Sequence, residues 1–398
     1  MPVRATKRGA ERTPLSGDYD VVIAGASFAG LAVARELRAT GARVLVLDRY
    51  EIGERQTSAC AAPTAWLENL GLAGSIRQSF DSMVVHTPGT SVRWPLPWTF
   101  STFDYPTLCE LLWEQSGPGT EFETAVVRGV TRAPMTTVSP SAAPTAPLPA
   151  TLHTDRGDVS SPLVVDALGW RRMLDPDTTF QHPEALLSRG LEVHPAGSGP
   201  DLELWIHKGY MRAGYGWLFP AGEEVRIGFG SFDPRHHVKE PTVRLAAEHG
   251  VEPVGYQGNW IPHALRPATQ DGIFFVGDSA GHCLPLTAEG IRTAFYFGIA
   301  CGRELAAVLG GERSREEALR RYHGFSDQHS WKYAWLKRWQ DNIWRARPRP
   351  RDALARSMRS PGFSAWAFGK YLNVAPPEFA LPAPPPALAL PRSTQLAA

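Results

Sequence analysis

Cysteine is scarce in this chain of 398 residues: Cys60, Cys109, Cys283 and Cys301 are scattered and form no C-x-x-C pair. That spacing argues against a zinc site or a disulfide framework and for a reducing compartment. No metal is expected. An excess of charge of either sign is also missing, with 41 Lys and Arg against 40 Asp and Glu, so nothing marks a nucleic-acid partner. No run of eighteen apolar residues occurs, which excludes a spanning helix. Residues 1–17 are polar and basic, without the apolar centre of a secretory signal. A cytoplasmic protein is expected, and contact with the cytoplasmic face of a membrane is left open. The length suffices for a large core in two domains or one elaborate one.

Two distant segments carry the chemistry. Tyr19 to Ala24 reads as an apolar strand, and Gly25-Ala26-Ser27-Phe28-Ala29-Gly30 turns it into a helix whose apolar positions include Leu31, Ala34 and Leu37. In a dinucleotide-binding turn the first glycine permits the tight turn and the last permits close packing of helix on strand. Backbone N–H groups at the helix start then face a pyrophosphate. The middle glycine is Ser27 here, giving G-x-S-x-x-G. A second apolar strand, Val44 to Leu47, ends in Asp48 at the distance expected of a ribose hydroxyl partner, with Arg49 next to it. The alternative for the turn alone is a tight strand-to-helix connection that binds nothing.

Asp271 to Asp278 reads as a turn, a buried strand and an Asp at its C-terminal end, where open α/β sheets bind ligands. Asp278 is a candidate acceptor for a ribityl or ribose hydroxyl, the alternative being a helix cap. Pro285 leads to Gly290 and Ile291, which open an apolar helix running through Ala294, Phe297, Ala300 and Leu305. Free N–H groups there would lie beside the pyrimidine edge of a flavin, where negative charge collects on reduction. These two segments read as halves of one FAD site, with Ser27, Phe28 and Ala29 in the turn and Val127 in a later strand as further cofactor contacts.

In this motif order, over about residues 18–320, the chain resembles FAD-dependent oxidoreductases with the para-hydroxybenzoate hydroxylase type of fold. Tyr215-Gly216-Trp217-Leu218-Phe219-Pro220-Ala221-Gly222 is similar to the Y-x-W-x-F-P-K-G signature of the geranylgeranyl reductase family, with Ala221 in place of its Lys. That resemblance implies an α/β fold in which a Rossmann-type FAD-binding domain is interleaved with a β-rich substrate domain, plus C-terminal helices. It implies that Tyr215, Trp217 and Phe219 line a cavity on one face of the flavin. Alternating aromatics packing one face of a sheet remain the other reading.

The organisation this implies is a flexible leader over 1–17 and a first FAD-binding part over 18–173, interrupted around 80–106 by substrate-domain strands. A substrate domain at 174–262, a second FAD-binding part at 263–320, a helical region at 321–374 and a Pro/Ala-rich tail at 375–398 follow. Glu121 to Val130 and Thr151 to His153 are expected to form a hairpin, and the Pro/Ser/Thr/Ala-rich residues 133–150 its flexible tip. Val164 to Gly169 is another buried strand, with Asp166 where some relatives carry an Asp-Gly element. Trp331, Trp335, Trp339 and Ile343 recur at i+4 spacing. Packing onto the core is expected of them, and a membrane-surface helix with tryptophans at headgroup level is the alternative.

Cys60 follows the second strand, where relatives place a Cys near the isoalloxazine in an R-C-G-like segment; here its neighbours are Ala59 and Ala61. A thiol that is mostly protonated at neutral pH can give a proton to carbon as hydride leaves a flavin, and a small buried packing residue is the other reading. His282 is either a flavin contact or a core histidine, and Glu289 a helix-start carboxylate without chemistry. The expected activity is reduction of carbon–carbon double bonds in an isoprenoid or other apolar metabolite of secondary metabolism. NAD(P)H or a reduced electron-transfer protein would be the reductant. No second G-x-G-x-x-G follows a strand, so that reductant would visit transiently. An aromatic monooxygenase is the alternative. A halogenase is disfavoured because no Lys lies between Lys7 and Lys208.

Overall fold

The computed structural model describes residues 13–56, 58–132, 149–175, 187–345 and 348–381. Its central sheet has six strands, in the order Thr269–Gln270, Ile273–Phe275, Leu163–Asp166, Val21–Ala24, Val44–Asp48 and Thr120–Thr124. All pair in parallel except the edge strand Thr269–Gln270. Val21–Ala24 and Leu163–Asp166 are buried at every position, as parallel strands covered on both faces must be, and so they read as unbroken apolar runs. From Val21–Ala24 the sheet continues to Val44–Asp48 on one side and to Leu163–Asp166 on the other. A crevice therefore opens beyond the carboxyl ends at this switch point.

The helix Phe28–Glu36 leaves the first strand and packs on the helix Ile291–Leu309. Two glycines set that distance. A Cβ on Gly298 would stand 2.7 Å from the Ala29 carbonyl oxygen and 2.9 Å from Ala32 Cβ, and one on Gly302 would stand 2.6 Å from Glu36 Cβ.

An eight-stranded sheet runs Gln257–Pro262, Leu187–Val193, Glu224–Ser231, Gly214–Ala221, Leu202–Trp205, Ile76–Thr87, Thr90–Phe103 and Ala61–Pro63. It joins the strands expected near 80–106 to those expected within 174–262. A four-stranded sheet of Gly17–Asp18, Gly157–Ser161, Ala150–Thr154 and Val127–Arg132 completes the β structure of the described residues.

Four expectations need correction. Glu121 to Val130 is not one strand: Thr120–Thr124 pairs with Val44–Asp48 in the central sheet, and only Val127–Arg132 pairs with Ala150–Thr154. The Asp155 carboxylate accepts from the Val126 N–H, holding the junction where the chain changes sheets. Most of the expected tip, residues 133–148, lies outside the described residues. The C-terminal segment is not wholly an extended tail. Ala375 and Ala380 are buried, the Trp66 indole donates to the Ala375 carbonyl, and residues beyond 381 lie outside the described ones. The tryptophan stripe is not core. On the helix Ser330–Ile343 the buried face is Tyr333, Leu336 and Gln340, while Trp331, Trp335 and Trp339 are 66%, 43% and 47% exposed. Of the expected leader, residues 1–12 lie outside the described ones, Leu15 is buried and Gly17–Asp18 joins the four-stranded sheet.

Candidate active site

The first βα turn is fixed by close backbone approach. Gly25 has φ +115°, and a Cβ there would fall 2.2 Å from the Ala167 carbonyl oxygen; a Cβ on Gly30 would fall 1.9 Å from that of Gly25. Both glycines shape the turn from beneath, whereas Ser27, Phe28 and Ala29 line the cavity above it. Ser27 is the N-cap yet makes no side-chain cap to its helix; its hydroxyl lies 3.1 Å from that of Tyr105. The helix start is thus left to its own N–H groups, a donor set suited to an anion. The Asp48 carboxylate accepts from the Ala26 and Tyr50 N–H groups at 2.8 and 3.1 Å. Burial raises its pKa, and those two hydrogen bonds act against the rise. Asp48, Arg49 and Val127 also line the cavity.

The second segment meets the first across the same cavity. Asp278 sits in the 3-10 turn Gly277–Ala280 after Ile273–Phe275, and burial raises its pKa to about 6 against the pull of Arg266. The N-cap of the helix Ile291–Leu309 is Gly290, which has no side chain to cap it. A Cβ on Gly290 would lie 3.6 Å from an Asp278 carboxylate oxygen. Asp278, Gly290 and Ile291 line the cavity and Pro285 does not.

Between them the loop is strained. Leu286 and Ala288 have φ +74° and +53°, values costly for residues with a Cβ. The C-terminal helices hold this loop in place. The Leu286 N–H donates to Gln340, the Thr287 hydroxyl meets that of Tyr371 at 2.8 Å, and Glu289 takes Arg292 and Tyr371. Glu289, so held, also lines the cavity. His282 stacks on Phe297 at 3.7 Å, bonds Ser326 and is fully buried, a core histidine away from the cavity wall. Asp166 is likewise consumed by structure, accepting from Ser279, Leu168 and Leu174.

The cavity has a volume of about 1520 Å³ and runs from these two segments to the eight-stranded sheet. Along Gly214–Ala221 the odd-numbered Tyr215, Trp217 and Phe219 are partly exposed and line it, while Gly216 and Leu218 are buried on the other side. The period of two that suggested simple sheet packing thus presents three aromatics to the cavity. Tyr215 donates to the Thr287 carbonyl, tying the aromatic wall to the strained loop.

Cys60 stands in the cavity wall with φ +53°. Its carbonyl accepts from the Phe103 N–H at 3.0 Å and from Arg226 at 3.2 Å, and Arg226 also donates to the Ala59 carbonyl. Burial pushes the thiol well above its ordinary pKa, Arg226 opposing and Glu192 adding to the shift, so at neutral pH the sulfur carries its proton. Sγ donates it to the Ser58 carbonyl at 3.2 Å. Sequence reasoning missed Arg226 and Glu192. Glu192 lines the cavity, almost wholly buried, between the Trp217 indole and His194. A lone charged residue in a strand carries no sequence signal for such a role. Among the described residues no cluster suits a metal ion.

No protein-family model matches the chain. The digeranylgeranylglycerophospholipid reductase of Methanococcus vannielii is 30% identical over 119 residues, 27% of this chain and 30% of that one. The chain is similar to geranylgeranyl reductases. Digeranylgeranylglycerophospholipid reductase 3 of Methanosphaera stadtmanae is 22% identical over 343 residues, 78% of this chain and 83% of that one. The first match spans about a third of its relative's length. Among solved structures, a geranylgeranyl bacteriochlorophyll reductase-like protein of Thermoplasma acidophilum superposes with TM-score 0.77 at 16% identity, over 92% of this chain and 98% of that one. A probable FAD-dependent monooxygenase of Pseudomonas aeruginosa gives 0.62 at 19% identity, over 88% and 100%. These likenesses establish the fold as the one these proteins share.

Proposed function

We propose that this protein is an FAD-dependent oxidoreductase that reduces a carbon–carbon double bond of an isoprenoid or another apolar metabolite. The observation that carries the reading is a buried, backbone-strained Cys60 in the wall shared by the dinucleotide-type turn and an aromatic cavity.

The residues present fit FAD. Two helix starts without side-chain caps, at Phe28 and Ile291, would meet its pyrophosphate and its pyrimidine edge. Asp48 and Asp278 would take ribose and ribityl hydroxyls. Bound and reduced, FAD supplies hydride. Tyr215, Trp217 and Phe219 would exclude water and hold an apolar chain, and Cys60 would give its Sγ proton to the substrate carbon. Arg226, bonded to the Cys60 carbonyl, lowers the cost of the thiolate left behind. Either NAD(P)H or a reduced electron-transfer protein would restore the cofactor, arriving from solution.

The test uses protein reduced under anaerobic conditions and offered a panel of polyprenyl alcohols and diphosphates beside aromatic acids. Return of the oxidised flavin spectrum with a prenyl compound, in the absence of oxygen, supports the reading. Return only after oxygen is admitted overturns it in favour of a monooxygenase.

A further inference from the structure

The cavity opens among the C-terminal helices. Trp335, Trp339, Leu354 and Trp366 both line it and stand exposed, as Met173 and Tyr256 do elsewhere, so the four form the part of its rim that these helices supply. Trp331, the most exposed of the large apolar side chains among the described residues, extends the same helix face by one turn. Every tryptophan exposed among the described residues lies in this region.

Positive charge is interleaved with that rim. Residues 330–372 hold ten Lys and Arg against two acidic residues, Asp341 and Asp352, whereas the whole chain has a formal charge of +1, so the remainder is net acidic. Asp341 is paired with Lys337 and Asp352 is buried. Arg338, Arg345, Arg356, Arg359 and Lys370 are exposed. Lys370 lies 4.9 Å over the Trp366 ring and Lys332 5.9 Å over that of Trp331.

We propose that this face binds the surface of a bilayer containing anionic phospholipids, with the cavity mouth opening onto the lipid. Tryptophan favours the headgroup level because one end of its ring system is apolar and the other hydrogen-bonds, and the surrounding cations match lipid phosphates. Apolar burial and charge together are the two signals that stable surface attachment needs. No helix among the described residues is long and apolar enough to cross a membrane, so the contact is with the surface. An apolar substrate would then enter the cavity without crossing water.

The test is sedimentation of the full chain with vesicles of phosphatidylcholine alone and of phosphatidylcholine mixed with phosphatidylglycerol. Binding to the mixed vesicles should be stronger by about tenfold or more, since each cation near an anionic surface adds roughly a factor of five. It should fall with salt and shift tryptophan emission to the blue. Trp331→Ala with Arg338→Glu and Arg359→Glu, none of them in the cavity wall, should weaken that binding by roughly tenfold or more while leaving the circular dichroism spectrum unchanged. The idea is overturned if neither vesicle binds, if both bind equally, or if the triple variant binds like the parent. It is also overturned if the emission shift follows self-association without lipid, which would make the face a contact between two copies. Partition is read without turnover, so failure here is distinct from failure of the proposed activity.

Discussion

Cys60 combines full burial, a left-handed backbone and a raised pKa in a cavity wall. Burial alone raises a thiol pKa, as it does at Cys109, Cys283 and Cys301; the left-handed backbone in the wall is what a packing cysteine does not need. Cys60→Ala is expected to bind FAD and be reduced normally, yet to transfer hydride to substrate slower by roughly 10²-fold, the scale of general acid catalysis. Cys60→Ser nearly keeps the volume but offers a weaker acid, so rapid single-turnover kinetics from reduced flavin should find both variants slow in the same step. A serine variant as fast as the parent would return Cys60 to the core.

Asp278 gives a pH-dependent prediction for the apoprotein. Its folded pKa is raised from 3.8 to about 6, so between those values the native state binds more protons than the unfolded chain and stability falls as pH rises. The full cost, about 3 kcal/mol at 1.36 kcal/mol per unit, is present above pH 6 and absent below the unfolded value. In urea melts Asp278→Asn should gain stability over the parent at pH 7–8, and that gain should vanish towards pH 4. A gain that does not change with pH would show that desolvation of this carboxylate is not the cause. Asp278 was legible from motif order, and Cys60 was singled out by the family resemblance. Arg226, Glu192 and Tyr371 were not, since each acts through contacts with elements far away in the chain.

Among the elements, the first strand, its turn and the helix Ile291–Leu309 could be read directly, because glycine spacing and unbroken apolar runs report backbone approach and two-sided burial. The reason Gly25 cannot be replaced is more local than a ligand's approach: its missing Cβ leaves room for the Ala167 carbonyl. The strand over 121–130 was misread because β-propensity is alike on both sides of Ala125 and cannot tell that Thr120–Thr124 and Val127–Arg132 join different sheets. Gly298 had no motif to announce it. Gly298→Val should force the two site helices apart, lowering stability by about 1–3 kcal/mol, the usual cost of overpacking, and weakening FAD retention on gel filtration. Unchanged retention and stability would mean that the helix contact has no bearing on the site.

In the whole molecule, the C-terminal helices changed role between sequence and structure. An i+4 aromatic stripe has the same period whether it faces a core or solvent, and only tertiary packing decided that Tyr333, Leu336 and Gln340 turn inward. Those helices brace the loop before Gly290 and rim the cavity, so the site draws on residues from Ser27 to Tyr371. The account's central claim is that this cavity brings a double bond to reduced FAD and a proton from Cys60. The most direct test is the mass of the product formed in a single turnover by anaerobically reduced protein with a polyprenyl substrate. A product heavier than substrate by two hydrogens, formed without oxygen, is predicted. A product that appears only with oxygen and carries an added oxygen atom would contradict it.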